Sequence, residues 1–347
     1  MSVRREHFGA LPDGQEVERF VLRSGALEAA VLTYGAVLQS MRAPDAAGSV
    51  GDVALGYDDL GGYLADTTFV GAVVGRYANR IADGRFELDG VEYLLPRNNG
   101  DACLHGGPGG FHTKVWAARE VAGGVELSFT SPNGDMGFPG TLTATATYVL
   151  DDDGLTVSYT AETDRPTVVN LTNHAYWNLD GEGPIEDHVL ELPAPRFVAV
   201  DDGLIPTGIE PVEGTPMDFR SPRRIGHGLR SATDQLLHAR GYDHAWVQDG
   251  AGDGGLRRIA RVEGPRSGRV LEVLTDQPSV QFYSGNFLDG SVAGRGGRAW
   301  RQGDGFCLET QHLPDSPNQP DFPSTVLRPG ERYATRTVFR FSAGNRA

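Results

Sequence analysis

Two neighbouring stretches of strict alternation constrain this chain more than any other feature. Leu142, Ala144, Ala146, Tyr148 and Leu150 alternate with Thr141, Thr143, Thr145 and Thr147, and Leu155, Val157, Tyr159 and Ala161 alternate with Thr156, Ser158 and Thr160. Successive side chains of a strand point to opposite faces, so this period gives each segment one apolar face and one hydroxyl-bearing face. Asp151-Asp152-Asp153-Gly154 between them is turn chemistry, and the pair reads as an antiparallel hairpin. Similar runs occur at 125–129, 270–274, 280–283, 306–309 and 333–341. Nearer the N-terminus, Phe20 and Leu22, then Leu27, Ala29 and Val31, then a less regular Val37, Leu38 and Met41 read as edge strands broken by Gly25 and Gly35. The stretch 43–64 shows no period and reads as surface connection. Helical spacing is nearly absent, apart from a turn or two near 232–239. All-β chains of this length often form one unit, so the expectation is a large antiparallel β-sandwich, a single domain over residues 1–347.

Composition narrows the partners. The formal net charge of −15 argues against nucleic acid or an anionic membrane surface, because phosphates are repelled over most of such a surface. A neutral or cationic small molecule fits better. The only cysteines are Cys103 and Cys307, and no charged-then-apolar leader precedes residue 30. A disulfide framework is therefore not expected, and a cytoplasmic protein, monomer or homodimer, is. No apolar run approaches the roughly 18 residues that a membrane helix needs.

Polar chemistry concentrates in a few places. Asn170-Leu171-Thr172-Asn173-His174-Ala175-Tyr176-Trp177-Asn178 sets one titratable imidazole among amide and hydroxyl groups and two aromatic rings able to stack on a sugar or base ring. In Gly75-Arg76-Tyr77-Ala78-Asn79-Arg80-Ile81, small residues leave Asn79 and Arg80 room to face a ligand. His105 is followed by Gly106 and Gly107, which allow close backbone approach to a bound molecule. On 280–287, Gln281 and Tyr283 share one face. On 306–312, Phe306 and Leu308 point one way, while Cys307, Glu309 and Gln311 point the other. A carboxylate on such an apolar strand is expected to be partly buried, which raises its pKa toward the range of a general base. The Pro-rich 313–320 cannot continue that strand and reads as a rim.

These residues carry a resemblance. Gly75-Arg76-Tyr77-Ala78-Asn79-Arg80-Ile81, Leu104-His105-Gly106-Gly107, Asn170-Leu171-Thr172-Asn173-His174, Tyr242-Asp243-His244, Gln281-Phe282-Tyr283-Ser284-Gly285-Asn286 and Leu308-Glu309-Thr310-Gln311 occur in the order found in the aldose 1-epimerase (galactose mutarotase) family. The match spans about residues 20–341. The resemblance implies the galactose mutarotase-like supersandwich, a large antiparallel β-sandwich. It also implies a general acid at His174, a general base at Glu309, and sugar binding by Asn79, Arg80, His105, Asp243 and Gln281, with Tyr176 beside them. The implied substrate is a monosaccharide, and neither metal nor cofactor is needed.

Three other readings are open. A binding-only protein of this fold would need neither His174 nor Glu309. A metal-dependent hydrolase would recruit His105, His174, His244 and Glu309, but no close His-x-His or His-Glu-x-x-His spacing supports it. A hexose-6-phosphate mutarotase would want a basic pocket, for which Arg220, Arg223 and Arg224 are the candidates. Cys103 and Cys307 read as small core residues close in sequence to His105 and Glu309.

Overall fold

The computed structural model describes residues 1–248 and 255–344. The central hairpin forms as its sequence requires, with Leu142–Leu150 against Gly154–Thr163 in a register that sets Leu150 opposite Leu155 and Ala144 opposite Ala161. Apolar side chains therefore meet apolar ones on one face. On the other, Thr145 Oγ1 lies 2.7 Å from Thr160 Oγ1. The hairpin belongs to a nine-stranded antiparallel sheet that runs Ala117–Val121, Gly124–Ser131, Leu142–Leu150, Gly154–Thr163, Tyr333–Ala343, Arg269–Thr275, Arg257–Glu263, Val189–Glu191 and Arg223–Arg224. Tyr333–Ala343 thus sits inside the sheet and ties the middle of the chain to its last third.

A six-stranded sheet holds Tyr176–Trp177, Phe306–Gln311, Ser279–Tyr283, Asp243–Val247, Arg196–Val200 and Pro206–Pro211 in that order. Its Trp177, Phe306, Leu308, Phe282 and Trp246 join Ala144, Tyr148, Leu155 and Val157 of the large sheet in one apolar cluster. That sandwich packing makes the six-stranded sheet a rigid floor with its second face left over for other use.

The N-terminal region differs from the expectation of edge strands. Glu16–Ser24, Leu27–Leu32 and Leu38–Pro44 are the inner strands of a five-stranded meander whose edges are Ser2–Ala10 and Val50–Asp52. Phe20, Leu22, Leu27, Ala29 and Val31 enter the main apolar cluster, so these strands need partners on both sides. The stretch 43–64 is also more regular than its sequence suggests. It contains Val50–Asp52 and the start of the helix Leu60–Ala65, whose N-cap Asp59 accepts from the Gly62 amide at 3.0 Å. Elements this short carry no readable period. The turn expected near 232–239 is the helix Asp234–Ala239. Among the described residues, no helix is long and apolar enough to cross a membrane.

Candidate active site

Register builds one wall of the site. Across adjacent strands of the six-stranded sheet, Tyr176 lies opposite Cys307, Cys307 opposite Tyr283, and Tyr283 opposite Asp243, while Gln281 lies opposite Glu309. Alternation sends the intervening Phe282 and Leu308 into the core and leaves this row on the free face. His174 arrives from the neighbouring two-residue strand Thr172–Asn173, with its amide bonded to the Ala72 carbonyl at 2.9 Å.

The facing wall is the pairing of Arg80–Ile81 with Cys103–Leu104. Asn79 and His105 flank it, both in the left-handed region (φ 65 and 52). The His105 amide donates to the Asn79 carbonyl at 3.0 Å, and the Asn79 amide donates to His105 Nδ1 at 3.1 Å. That second bond fixes the tautomer: neutral His105 carries its proton on Nε2, as a donor aimed away from the backbone. Arg80 Nε donates to Asn99 Oδ1 at 2.9 Å, and its Nη1 lies 3.8 Å from Asp243 Oδ2, both partners being buried. Beneath Arg80, Asp315 donates its amide to the Arg80 carbonyl at 2.9 Å, and its carboxylate accepts from Ala82, Asn318 and Gln319. The Pro-rich segment is thus a strap under the arginine rather than an open rim.

Between the walls lies a cleft of about 910 Å³ lined by Asn79, Arg80, His105, His174, Tyr176, Asp243, Tyr283 and Glu309, with Phe69 and Asn99 beside them. His174 Nε2 is 3.8 Å from Glu309 Oε1, and its Nδ1 is 3.5 Å from Cys307 Sγ. Burial pushes the Glu309 carboxyl well above its usual value, the nearby Asp243 adds to the rise, and Arg80 opposes it. Burial likewise raises Asp243, against Arg80 and a 2.7 Å hydrogen bond from Gln281 Nε2. His174 is driven down to about 4, first by burial, and His105 well below its ordinary value for the same reason. The floor therefore disfavours charge on both the carboxyl and the imidazole.

Several expectations need correction. Trp177 is no sugar platform: on a two-residue strand it points opposite to Tyr176 and packs on Phe339 and Phe341. Asn170, Asn173 and Asn178 serve the scaffold, donating to the carbonyls of Ala78, Gly71 and Gly183. Gln281, opposite Glu309, donates Nε2 to Asp243 at 2.7 Å, and its Oε1 has no partner among the described residues. Gly106, at φ 82, makes room for the Gly75 carbonyl, which a Cβ there would meet at 2.1 Å, and not for a ligand. Arg220 and Arg223 engage Asp218, Arg224 engages Asp187, and none of the three lines the cleft. Of the four residues considered for a metal, His105, His174 and Glu309 present ligand atoms within 4.8 Å of one another, whereas His244 packs on Phe197 and Trp246. Both cysteines are buried and free. Sequence reasoning missed Phe69, Asn99 and the contact of Cys307 with His174; of these only Asn99 has a local signal, the Asn-Gly turn dipeptide it forms with Gly100.

An antiparallel β-sandwich with this polar cleft on the free face of its six-stranded sheet defines a protein of the galactose mutarotase-like fold. The chain belongs to the aldose 1-epimerase family, whose sequence pattern matches residues 18–340. It is 47% identical over 346 residues to the galactose mutarotase of Bos taurus, covering 99% of each chain. It is 40% identical over 339 residues to the aldose 1-epimerase of Escherichia coli strain K12, covering 96% of this chain and 97% of that one. Among solved structures it is similar to the aldose epimerase homologue from C. elegans, with TM-score 0.87, 33% identity, and 94% and 98% of the two chains covered.

Proposed function

We propose that this protein is an aldose 1-epimerase, a mutarotase that interconverts the α and β anomers of free aldohexoses such as glucose and galactose. One observation carries this above the others: in a chain of this family, His174 Nε2 and Glu309 Oε1 face each other across 3.8 Å in a polar cleft of about 910 Å³, ample for a hexose. In this reading Glu309 takes the proton of the anomeric hydroxyl while protonated His174 gives one to the ring oxygen. The aldehyde turns about the C1–C2 bond, and the same two groups reverse their roles on closure. Asn79, Arg80, His105, Asp243, Gln281 and Tyr176 grip the other hydroxyls, with Gln281 also bonded to Asp243. Residues 1–347 act as one domain.

Burial acts on this cycle in a definite sense. A closed sugar needs the carboxylate and the imidazolium; once the ring is open, Glu309 holds a proton and His174 is neutral. Burial raises Glu309 and lowers His174, so it favours the proton arrangement of the open-chain complex and offsets part of the cost of opening the hemiacetal. At 3.8 Å the two groups do not hydrogen-bond directly, so the sugar oxygens complete the proton path between them. The cleft's outer part carries Asp83, Asp101, Asp201 and Asp202 against Arg240, and this excess of negative charge disfavours a phosphate.

Polarimetry of freshly dissolved α-D-glucose and α-D-galactose, with a chelator present, tests the proposal. Rotation decays faster than in buffer with the wild type, and at close to the buffer rate with Glu309→Gln or His174→Asn. No acceleration with any free aldose overturns it, and hexose 6-phosphates become the next substrates to try.

A further inference from the structure

Phe69 is the only phenylalanine, tyrosine or tryptophan among the described residues with its backbone in the left-handed region, at φ 59. Bulky side chains rarely adopt that conformation, and it persists only where the surroundings impose it. Here they do. The Asp66 carboxylate accepts from the Thr68 amide at 2.9 Å, the Thr68 hydroxyl at 2.6 Å, the Val70 amide at 2.9 Å and the Tyr57 hydroxyl at 2.9 Å, clamping the 66–70 turn. The turn is tied to the site on both sides: Tyr176 donates its hydroxyl to the Thr68 carbonyl at 3.0 Å, and Gly71 donates its amide to the His174 carbonyl at 2.9 Å.

The clamp holds a ring that belongs to none of the apolar core clusters. Its centroid lies 4.7 Å from His105 and 4.7 Å from His112, edge-on to both, and 5.9 Å from the tilted His174 ring. His105 and His174 are themselves edge to face at 5.2 Å. Phe69 lines both the cleft and a second cavity of about 370 Å³ that includes Asp66 and His112.

We propose that Phe69 is a positioning residue of the catalytic cleft: its ring is a wall that fixes the planes of the His105 and His174 imidazoles and screens them from the second cavity. This deepens the epimerase reading and rests on it. The charged and titratable groups facing the two imidazoles are Glu309, Arg80 and His112, with Cys307 against His174 Nδ1 and the Tyr176 and Tyr283 rings alongside. None of these replaces the wall when the ring is removed.

The test compares Phe69→Gly, Phe69→Ala and Phe69→Leu in the full chain by pH titration of the histidine Cε1–H NMR signals, thermal unfolding and polarimetric rates. In the Gly and Ala variants water reaches the imidazoles, the His174 midpoint rises by on the order of one pH unit from about 4, and kcat falls by on the order of ten- to a hundredfold. Glycine relieves the backbone at φ 59, so Phe69→Gly is at least as stable as Phe69→Ala yet no more active. Leucine keeps an apolar wall and holds the midpoint near the wild-type value. Midpoints unchanged in folded Gly and Ala variants, or activity that follows stability so that Gly outperforms Ala, overturn the proposal. Midpoints that rise in a protein whose wild type accelerates no aldose support the wall while the epimerase reading falls.

Discussion

Replacing Glu309 with glutamine separates catalysis from stability, because burial acts on the two in opposite directions. Glu309 is only 2% exposed, and its Oε2 has no hydrogen-bond partner among the described residues. Its folded-state pKa is raised, by burial first and Asp243 second. Below the unfolded pKa of about 4.3 both states are protonated and the group is neutral toward stability. As pH rises above that, the unfolded chain gains by ionising and the folded state loses ground until the folded pKa is passed. Glutamine has the same shape and no charge. Each unit by which the folded pKa is raised costs the wild type about 1.4 kcal/mol once the unfolded chain ionises, and an amide escapes that cost, so Glu309→Gln should be more stable by on the order of 1–3 kcal/mol near pH 7.5 and close to wild type at pH 4. With an unfolding entropy of about 2.1 cal/mol/K per residue, 347 residues give about 0.7 kcal/mol/K, and the gain appears as a Tm rise of roughly 1.5–4 °C. The same substitution should lower kcat by on the order of 10²–10⁴. Calorimetry from pH 4 to pH 8 beside polarimetry reads both. A Tm difference that does not grow with pH refutes the burial reasoning, and a rate within threefold of wild type refutes the role of base.

The pH–rate profile should be a bell whose two limbs belong to the His174–Glu309 pair, since the proposed proton exchange uses one proton between them. The acid limb lies near 4, where His174 gains its proton while Glu309 keeps its own, and the alkaline limb lies well above the ordinary carboxyl range. A profile that loses activity below pH 6.5 contradicts the lowered His174. Arg80→Lys removes the planar fork that spans Asn99 and Asp243 and should raise KM by about tenfold with a smaller change in kcat, measured by polarimetry at varied sugar concentration. Asp315→Ala strips three hydrogen bonds from the strap under Arg80 and should cost about 2–4 kcal/mol in denaturant unfolding, with a raised KM in whatever remains folded.

Alternation in the chain determined most of the fold. Thr/Ala and Ser/Val periodicity dictated the central hairpin, because a strand with one apolar and one polar face has a single way to bury itself, and the register followed from the turn. The same period put Glu309 on the face opposite Phe306 and Leu308. His174 and Arg80 were legible as polar groups in dense, small-residue segments, and both line the cleft. Other features depended on contacts between residues far apart in the chain. Asn173 and Trp177 have the side chains of a sugar site, yet a neighbouring carbonyl captures the first and the core captures the second. Gln281 is bonded to Asp243, Asp315 works through the backbone of Arg80, and Cys307 meets His174 across 133 positions of sequence. Phe69 carries no local signal, because its strained backbone is held by Asp66 and its ring by histidines from elsewhere in the chain. Local pattern fixes which face of a strand a residue occupies; what that face meets, and so whether a polar group is captured by the scaffold or left for a ligand, is decided by long-range packing alone.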